Sequence, residues 1–219
     1  EHCVLTPEIG LGTIEITDAA WELLTSARFL YTAIGDLRSS RRRGRPLGAH
    51  FAELAAHGVT RVIDLDVGAI GSDDLPLISA MDLVFMNARG AEALAALGMT
   101  PQSLVSAGVQ CVVTTNGPLG CHAVTPTSEV MQPGLDVPVR DVTGAGDTFG
   151  AVFTHVWLDT NDLVAACALA NAAAARAVTT IGARAGVASL TTIADFAAGH
   201  RARRAPRSDP SSPPRPPRD

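Results

Sequence analysis

Asp141-Val142-Thr143-Gly144-Ala145-Gly146-Asp147-Thr148-Phe149 is the stretch on which both the fold and the chemistry turn. Just beyond it, Phe149, Val152, Phe153, Val156 and Trp157 recur at i, i+3, i+4, i+7 and i+8, the spacing of one apolar helix face. The glycines therefore fall at a helix N-terminus, where unpaired N–H groups and the positive end of the helix dipole make a site for an anion. Glycine lets the backbone approach a phosphate closely and adopt conformations that a Cβ forbids. Asp147 falls in the first helical turn beside that site. A carboxylate there can take a proton from an attacking hydroxyl while the N–H groups stabilise a phosphoryl group in transfer. A bare Gly-x-Gly-Asp is more often an ordinary glycine turn; the length of the segment is what gives this one weight.

Outward from this segment, strand and helix patterns alternate. Residues 29–34, 62–66, 83–86 and 109–115 are apolar runs of strand length. Between them, Asp18 is placed as the N-cap of a helix carrying Trp21, Leu23 and Leu24. Residues 47–57 have helical spacing and stop at Gly58, and residues 91–97 form a short helix ended by Gly98. Thr100-Pro101 opens another, closed by Gly108. A glycine-bounded hairpin covers residues 120–131. Strands separated by helices predict an α/β protein of three layers, with a mostly parallel sheet and helices on both faces. Ligands of such sheets bind at the carboxyl ends of the strands, where Asn87, residues 115–120 and residues 143–147 all fall.

The composition narrows the function classes. The chain has 219 residues, 47% of them hydrophobic, enough for a sizeable core. Its net charge of −5 argues against a nucleic-acid partner. Arg41-Arg42-Arg43-Gly44-Arg45 is the one basic cluster before the tail and reads as a solvated loop, with a contact to an anionic ligand or partner as the alternative. Cys3, Cys111, Cys121 and Cys167 stand at no metal-ligand spacing and read as free thiols of a reducing compartment. No apolar run reaches bilayer-spanning length, because Asn171 and Arg176 interrupt the Ala-rich segment. With no signal peptide evident, the expectation is a soluble cytoplasmic protein without a membrane partner. The His residues show no ligand spacing, and neither a Walker loop nor a hydrolase motif is present.

The segment 141–149 closely resembles the D-T-T-G-A-G-D-T-F motif of the ribokinase (PfkB) carbohydrate kinases, with Val142 the single change. Thr115-Asn116-Gly117-Pro118-Leu119-Gly120 resembles the family's T-x-G-x-x-G nucleotide loop. Ala170-Asn171-Ala172, followed by Ala177-Val178-Thr179 and Gly182-Ala183, resembles its adenine-covering helix and loop. The resemblance implies an ATP- and magnesium-dependent kinase acting on a hydroxyl of a sugar. Asp147 would be the catalytic base, and Gly144, Ala145 and Gly146 the anion hole. Asn87, Thr115, Gly117, Gly120 and Asn171 would meet the nucleotide. In relatives with a monovalent-cation site, the matching positions are Asp141, Thr143, Ala177, Thr180, Gly182 and Gly186, which would make potassium an activator.

Two alternatives stand beside this reading: a nucleoside (adenosine-type) kinase, and a truncated or degenerate nucleotide-binding protein without turnover. The departures from the family pattern bear on the second. The Glu of the N-x-x-E motif is replaced by Gly90, and the D-P-N-x-R motif by Asp64-Leu65-Asp66-Val67-Gly68. By resemblance, residues 1–16 are the remnant of a β lid, 17–200 the nucleotide-binding core, and 201–219 a disordered Pro/Arg-rich tail. The family's N-terminal strands and most of its lid precede this point, so most acceptor contacts would lie outside the chain. Alone it is expected to bind nucleotide weakly, to release no ADP in response to sugars, and to leave a sheet edge near Phe29 and Val62. Lid strands in this family pair between subunits, which implies a homodimer.

Overall fold

The computed structural model describes residues 12–65 and 70–204, the last four as backbone alone. Its elements follow in chain order: β1 (Ile14–Glu15), α1 (Asp18–Ser26), β2 (Phe29–Ala33), α2 (Ile34–Ser39), β3 (Ser40–Arg42) and β4 (Arg45–Pro46). After a 3₁₀ turn at Leu47–His50 come α3 (Phe51–Ala56), β5 (Thr60–Asp64), α4 (Leu75–Ser79), β6 (Leu83–Asn87), α5 (Ala88–Ala96) and α6 (Pro101–Ser106). The rest are β7 (Cys111–Thr115), β8 (Cys121–Val124), β9 (Glu129–Gln132), α7 (Ala145–Thr160), α8 (Leu163–Ala177) and α9 (Leu190–Arg204).

The main sheet has the order β2-β5-β6-β7-β8-β9. Its first four strands are parallel; β8 and β9 extend it as an antiparallel hairpin. Alternate residues of the central strands bury on opposite faces, as the two-residue period of a strand requires. Ile63, Val84, Met86 and Val112 meet Leu54, Ile78, Leu94 and Leu104 on one face. Val62, Leu83, Phe85, Cys111 and Val113 meet Phe149, Phe153, Val156 and Ala170 of α7 and α8 on the other. The expected three layers are therefore present. Among the described residues β2 is a sheet edge, and Val62 lies inside between β2 and β6.

The direction of α7 positions the site. Arg28, just before β2, pairs with Asp159 near the helix's end at 2.6 Å. Gly150, near its start, lies against the Tyr31 ring, where a Cβ would collide. The helix thus runs antiparallel to β2, and its N-terminus lies toward the carboxyl ends of the parallel strands.

Several boundaries differ from the sequence reading. Thr17, not Asp18, is the first N-cap: its Oγ1 accepts from the Ala20 N–H at 3.2 Å. Asp18 sits in the first turn instead and pairs with Arg43 at 2.9 Å. The helix expected over 47–57 is split into the 3₁₀ turn and α3. Helix α5 begins at Ala88 rather than 91, because the Asn87 side chain caps it. The assignment of residues 41–45 to a solvated loop is corrected. They form the β3–β4 hairpin, turned by Arg43 and Gly44 at φ 50° and 73°. The left-handed pair is what a tight hairpin needs. Arg42 points inward, 6% exposed, with its guanidinium carbon 4.2 Å from the Trp21 ring centroid.

Of the extended start read over residues 4–16, β1 is the described part, and it pairs in parallel with β3; residues 1–11 lie outside the described residues. The tail reading from 201 is corrected at its beginning, since α9 continues to Arg204. Cys111, Cys121 and Cys167 are free and buried, and burial, together with the neighbouring Cys121, pushes the Cys111 thiol up to about 12. No described helix is long and apolar enough to cross a membrane.

Candidate active site

The segment 141–147 is a turn leading into α7. Gly144, at φ 76°, is its N-cap in the left-handed region. The Ala145 N–H closes the turn onto the Val142 carbonyl at 3.2 Å, and the Thr148 N–H reaches Gly144 O at 3.0 Å. Of the three anion-hole positions read from the sequence, Ala145 therefore has its N–H engaged within the turn. The N–H groups of Gly146 and Asp147 are first-turn donors without an intrahelical acceptor. Asp147 is exposed in that turn. Gly150 touches Tyr31, so Asp147, three residues earlier, lies about 4.5 Å further along the helix axis toward the end of β2.

Asp141 ties this turn to the loop after α8. Its Oδ1 accepts from the Thr143 N–H at 2.9 Å and the Thr143 hydroxyl at 2.7 Å, and its Oδ2 from the Gly182 N–H at 2.8 Å. The Arg140 N–H donates to Val178 O at 2.7 Å, and a Cβ on Gly144 would lie 2.5 Å from Ala183 O. The two loops are thus laced together at the mouth of α7.

The positions matched to a monovalent-cation site are all near this seam, but their groups are turned to one another. The Thr180 hydroxyl donates to Ala177 O at 3.0 Å, and the Arg176 guanidinium donates to Gly186 O. No role for potassium is derived from this arrangement.

The nucleotide-loop residues assemble as a strand end and a tight turn. Thr115 closes β7, its hydroxyl 3.4 Å from Met86 O. The Asn116 N–H bonds Gly120 O at 2.8 Å around the 3₁₀ turn Gly117–Leu119. Gly117 and Gly120 both take positive φ, 55° and 97°. Gly120 also packs against the backbone of residues 132–134, leaving no room for a Cβ.

Asn171 ties two segments of the chain together. It is 7% exposed, and its Nδ2 donates to the carbonyls of Gln132 at 3.0 Å and Pro133 at 3.2 Å. Its amide holds the chain that Gly120 leans on. Asn87 likewise caps α5, its Oδ1 accepting from the Gly90 N–H at 3.0 Å.

Gly90 explains the missing acid. A Cβ there would lie 2.7 Å from Leu65 O and 3.0 Å from the Met86 Cβ, so α5 packs directly on the end of β5. A glutamate cannot occupy this position without moving the strand. Among the described residues no group of three His, Cys, Asp or Glu could hold a metal ion. The glutamate through which the N-x-x-E motif would organise magnesium is replaced here by Gly90. Magnesium carried on nucleotide phosphates would need few protein ligands, and no step below is routed through it.

Sequence reasoning missed a group at the same end of the sheet. A cleft of about 630 Å³ is lined by residues following β2, among them Leu37, Arg38 and Arg41, and by residues following β5, including Asp73, Asp74 and Leu77. Arg38 binds Asp74 through Nε at 2.7 Å and through Nη2, and Asp74 also accepts from the Gly71 N–H at 2.7 Å. The hydrogen bonds from Arg38 hold the Asp74 carboxyl below its usual range, against the opposing effect of burial. The alternation of Arg41 and Arg42 in a short basic run was the available signal, since a strand sends neighbours to opposite faces.

The chain matches the pfkB family of carbohydrate kinases over residues 11–190. It is 36% identical over 109 residues to an ATP-dependent ribose-1-phosphate kinase of Halopiger xanaduensis, covering 49% of this chain and 36% of that protein. A Bacillus subtilis ribokinase is 38% identical over 73 residues, 33% of this chain and 25% of its own length. The chain thus spans well under two thirds of these curated relatives. Among solved structures, an Arabidopsis thaliana ribokinase with ribose and ATP superposes with a TM-score of 0.69 at 20% identity, covering 83% of this chain and 59% of that one. A Xylella fastidiosa fructokinase with bound ATP gives 0.69 at 16% identity, with 82% and 64% covered. At these identities the superpositions speak for the fold.

Proposed function

This chain belongs to the pfkB family of carbohydrate kinases, and on that premise we propose that it transfers the γ-phosphoryl group of ATP to a hydroxyl of a sugar or sugar derivative. The observation that carries the proposal is the mouth of α7. There an exposed carboxylate and first-turn N–H groups share one helical turn at the carboxyl end of a parallel sheet. In this reading the acceptor hydroxyl approaches Asp147, which takes its proton late, because an alcohol is a far weaker acid than a carboxylic acid. The N–H groups of Gly146 and Asp147, with the glycine backbone at 144, face the oxygens on which charge spreads. Residues 115–120, held by Asn171 through the 132–134 segment, form one wall for the nucleotide. Asp141 keeps the α7 mouth and the 178–183 loop in register, so the two walls stay at fixed separation.

The test is a coupled ADP-release assay on the full-length gene product over pentoses, hexoses, sugar acids, sugar phosphates and nucleosides. Pentoses and pentose phosphates lead the panel because two relatives are named for them. ADP release that depends on one acceptor class is the expected result. ATP binding without acceptor-dependent ADP release from any class would identify a nucleotide-binding protein and overturn the proposal.

A further inference from the structure

We infer that the cleft between the segments following β2 and β5 binds the anionic group of an acidic monosaccharide, with Arg41 as its principal ligand. The inference rests on the kinase reading above for its link to catalysis, and on the cleft itself for the binding. Its placement comes first. Both walls leave the carboxyl ends of neighbouring parallel strands, and the N-terminus of α7 points to that same end. Ala33 ends β2 and Leu37 already lines the cleft, so the cleft opens at the sheet end where α7 begins; its apolar lining belongs to the face opposite α7.

The chemistry comes second. At about 630 Å³ the cleft is in the range that small-molecule sites occupy. Leu37, Ile70 and Leu77 supply apolar surface, which suits the C–H face of a sugar ring. Arg41 is anchored by Nη1, which donates to the carbonyls of Arg38 at 2.6 Å and Ser40 at 3.1 Å. It makes no ion pair among the described residues. A guanidinium fixed at one nitrogen presents its remaining edge as a planar fork, the geometry that binds phosphate or carboxylate in two parallel hydrogen bonds.

Three neighbouring carboxylates define selectivity. Glu15 stands opposite Arg41 in register, with its Oε1 accepting from the Arg43 N–H at 2.9 Å. Asp74 is neutralised by Arg38, and the pair forms a rigid wall. Asp73, also lining the cleft, is exposed and offers acceptors to sugar hydroxyls while opposing any anion placed near it. A neutral sugar could use Asp73 and the apolar surface alone. An acidic sugar gains a charge-assisted, two-bond pairing with Arg41, where a neutral sugar gains only an ordinary hydroxyl hydrogen bond. Phosphate and carboxylate share this chemistry, and the experiment separates them.

The experiment compares wild type with Arg41→Ala and Arg41→Lys in the full-length gene product, by calorimetry and by ADP release. The probes are D-ribose 1-phosphate, D-gluconate and D-ribose. Wild type is expected to bind one or both anionic probes more tightly than D-ribose, the tighter of them naming the group. Arg41→Ala should weaken that probe on the order of tenfold or more, Arg41→Lys by less, and D-ribose several-fold less than the anionic probe. In turnover the loss should fall on KM, with kcat within about threefold. Anion binding that depends on Arg41 without any ADP release would uphold the cleft and overturn the kinase reading. Acceptor-dependent ADP release with equal affinity for charged and neutral sugars, or with no response to Arg41→Ala, would overturn the cleft and leave the kinase standing. Circular dichroism of each variant guards against misfolding, and Arg41→Lys, which keeps the charge, supplies a second folded comparison.

Discussion

Replacing Asp147 by asparagine is expected to lower kcat about a hundredfold or more while leaving the affinity for ATP within about twofold. The amide keeps the size and planarity of the carboxyl group and loses the oxygen that can accept a proton. The first-turn N–H groups of α7 are backbone groups and stay where they are, so nucleotide binding should survive. Asp147 is exposed, so the substitution strands no buried charge. It removes only the favourable meeting of a carboxylate with a helix N-terminus, about 0.3–1 kcal/mol. Loss of turnover with intact folding and intact ATP binding is therefore the expected pattern. Turnover at the wild-type rate would remove Asp147 from the role of base.

The second large effect concerns what holds that helix. Phe153 is fully buried, with its ring 5.4 Å from Phe85, 6.1 Å from Phe149 and 6.4 Å from Trp157, centroid to centroid. It joins α7 to β6 two turns below the N-terminus of the helix. Phe153→Ala should cost about 3–5 kcal/mol, from lost apolar burial plus the cavity left behind. For a domain of this size that lowers Tm by roughly 6–20 °C. Urea unfolding should show a lower midpoint with an unchanged slope. A loss under about 1 kcal/mol would mean that α7 is held by something other than this aromatic cluster.

What the sequence showed and what it hid have separate physical causes. The runs at 62–66, 83–86 and 109–115 were readable because strands buried on both faces must be apolar at nearly every position. The α7 stripe was readable because one helix face is buried throughout its length. Thr17 and Asp18 were not separable, since either side chain can cap and only the backbone path decides between them. Asn87 and Asn171 were assigned to the nucleotide by resemblance. The fold uses the first as a helix cap and the second as a buried tie to two carbonyls. A short polar side chain beside a site serves its walls as readily as its ligand.

The hairpin of β3 and β4 was hidden for a different reason. Its basic residues suggested solvent, and only tertiary packing against Trp21 makes a home for Arg42. The Glu-to-Gly90 replacement was visible in the sequence, but its cause was not. The contact between Gly90 and Leu65 O is a meeting of helix and strand backbone, which no local pattern records.

The most direct measurement is of the backbone N–H groups themselves, by ¹⁵N NMR of the protein titrated with magnesium-ATP and, separately, magnesium-ADP. If the mouth of α7 receives the transferring phosphoryl group, the signals of Gly146 and Asp147 shift with ATP and much less with ADP. Gly117, Leu119 and Gly120 should respond to both. Equal shifts at Gly146 and Asp147 with the two nucleotides, or none while Gly117, Leu119 and Gly120 respond, would contradict the placement of phosphoryl transfer at this helix.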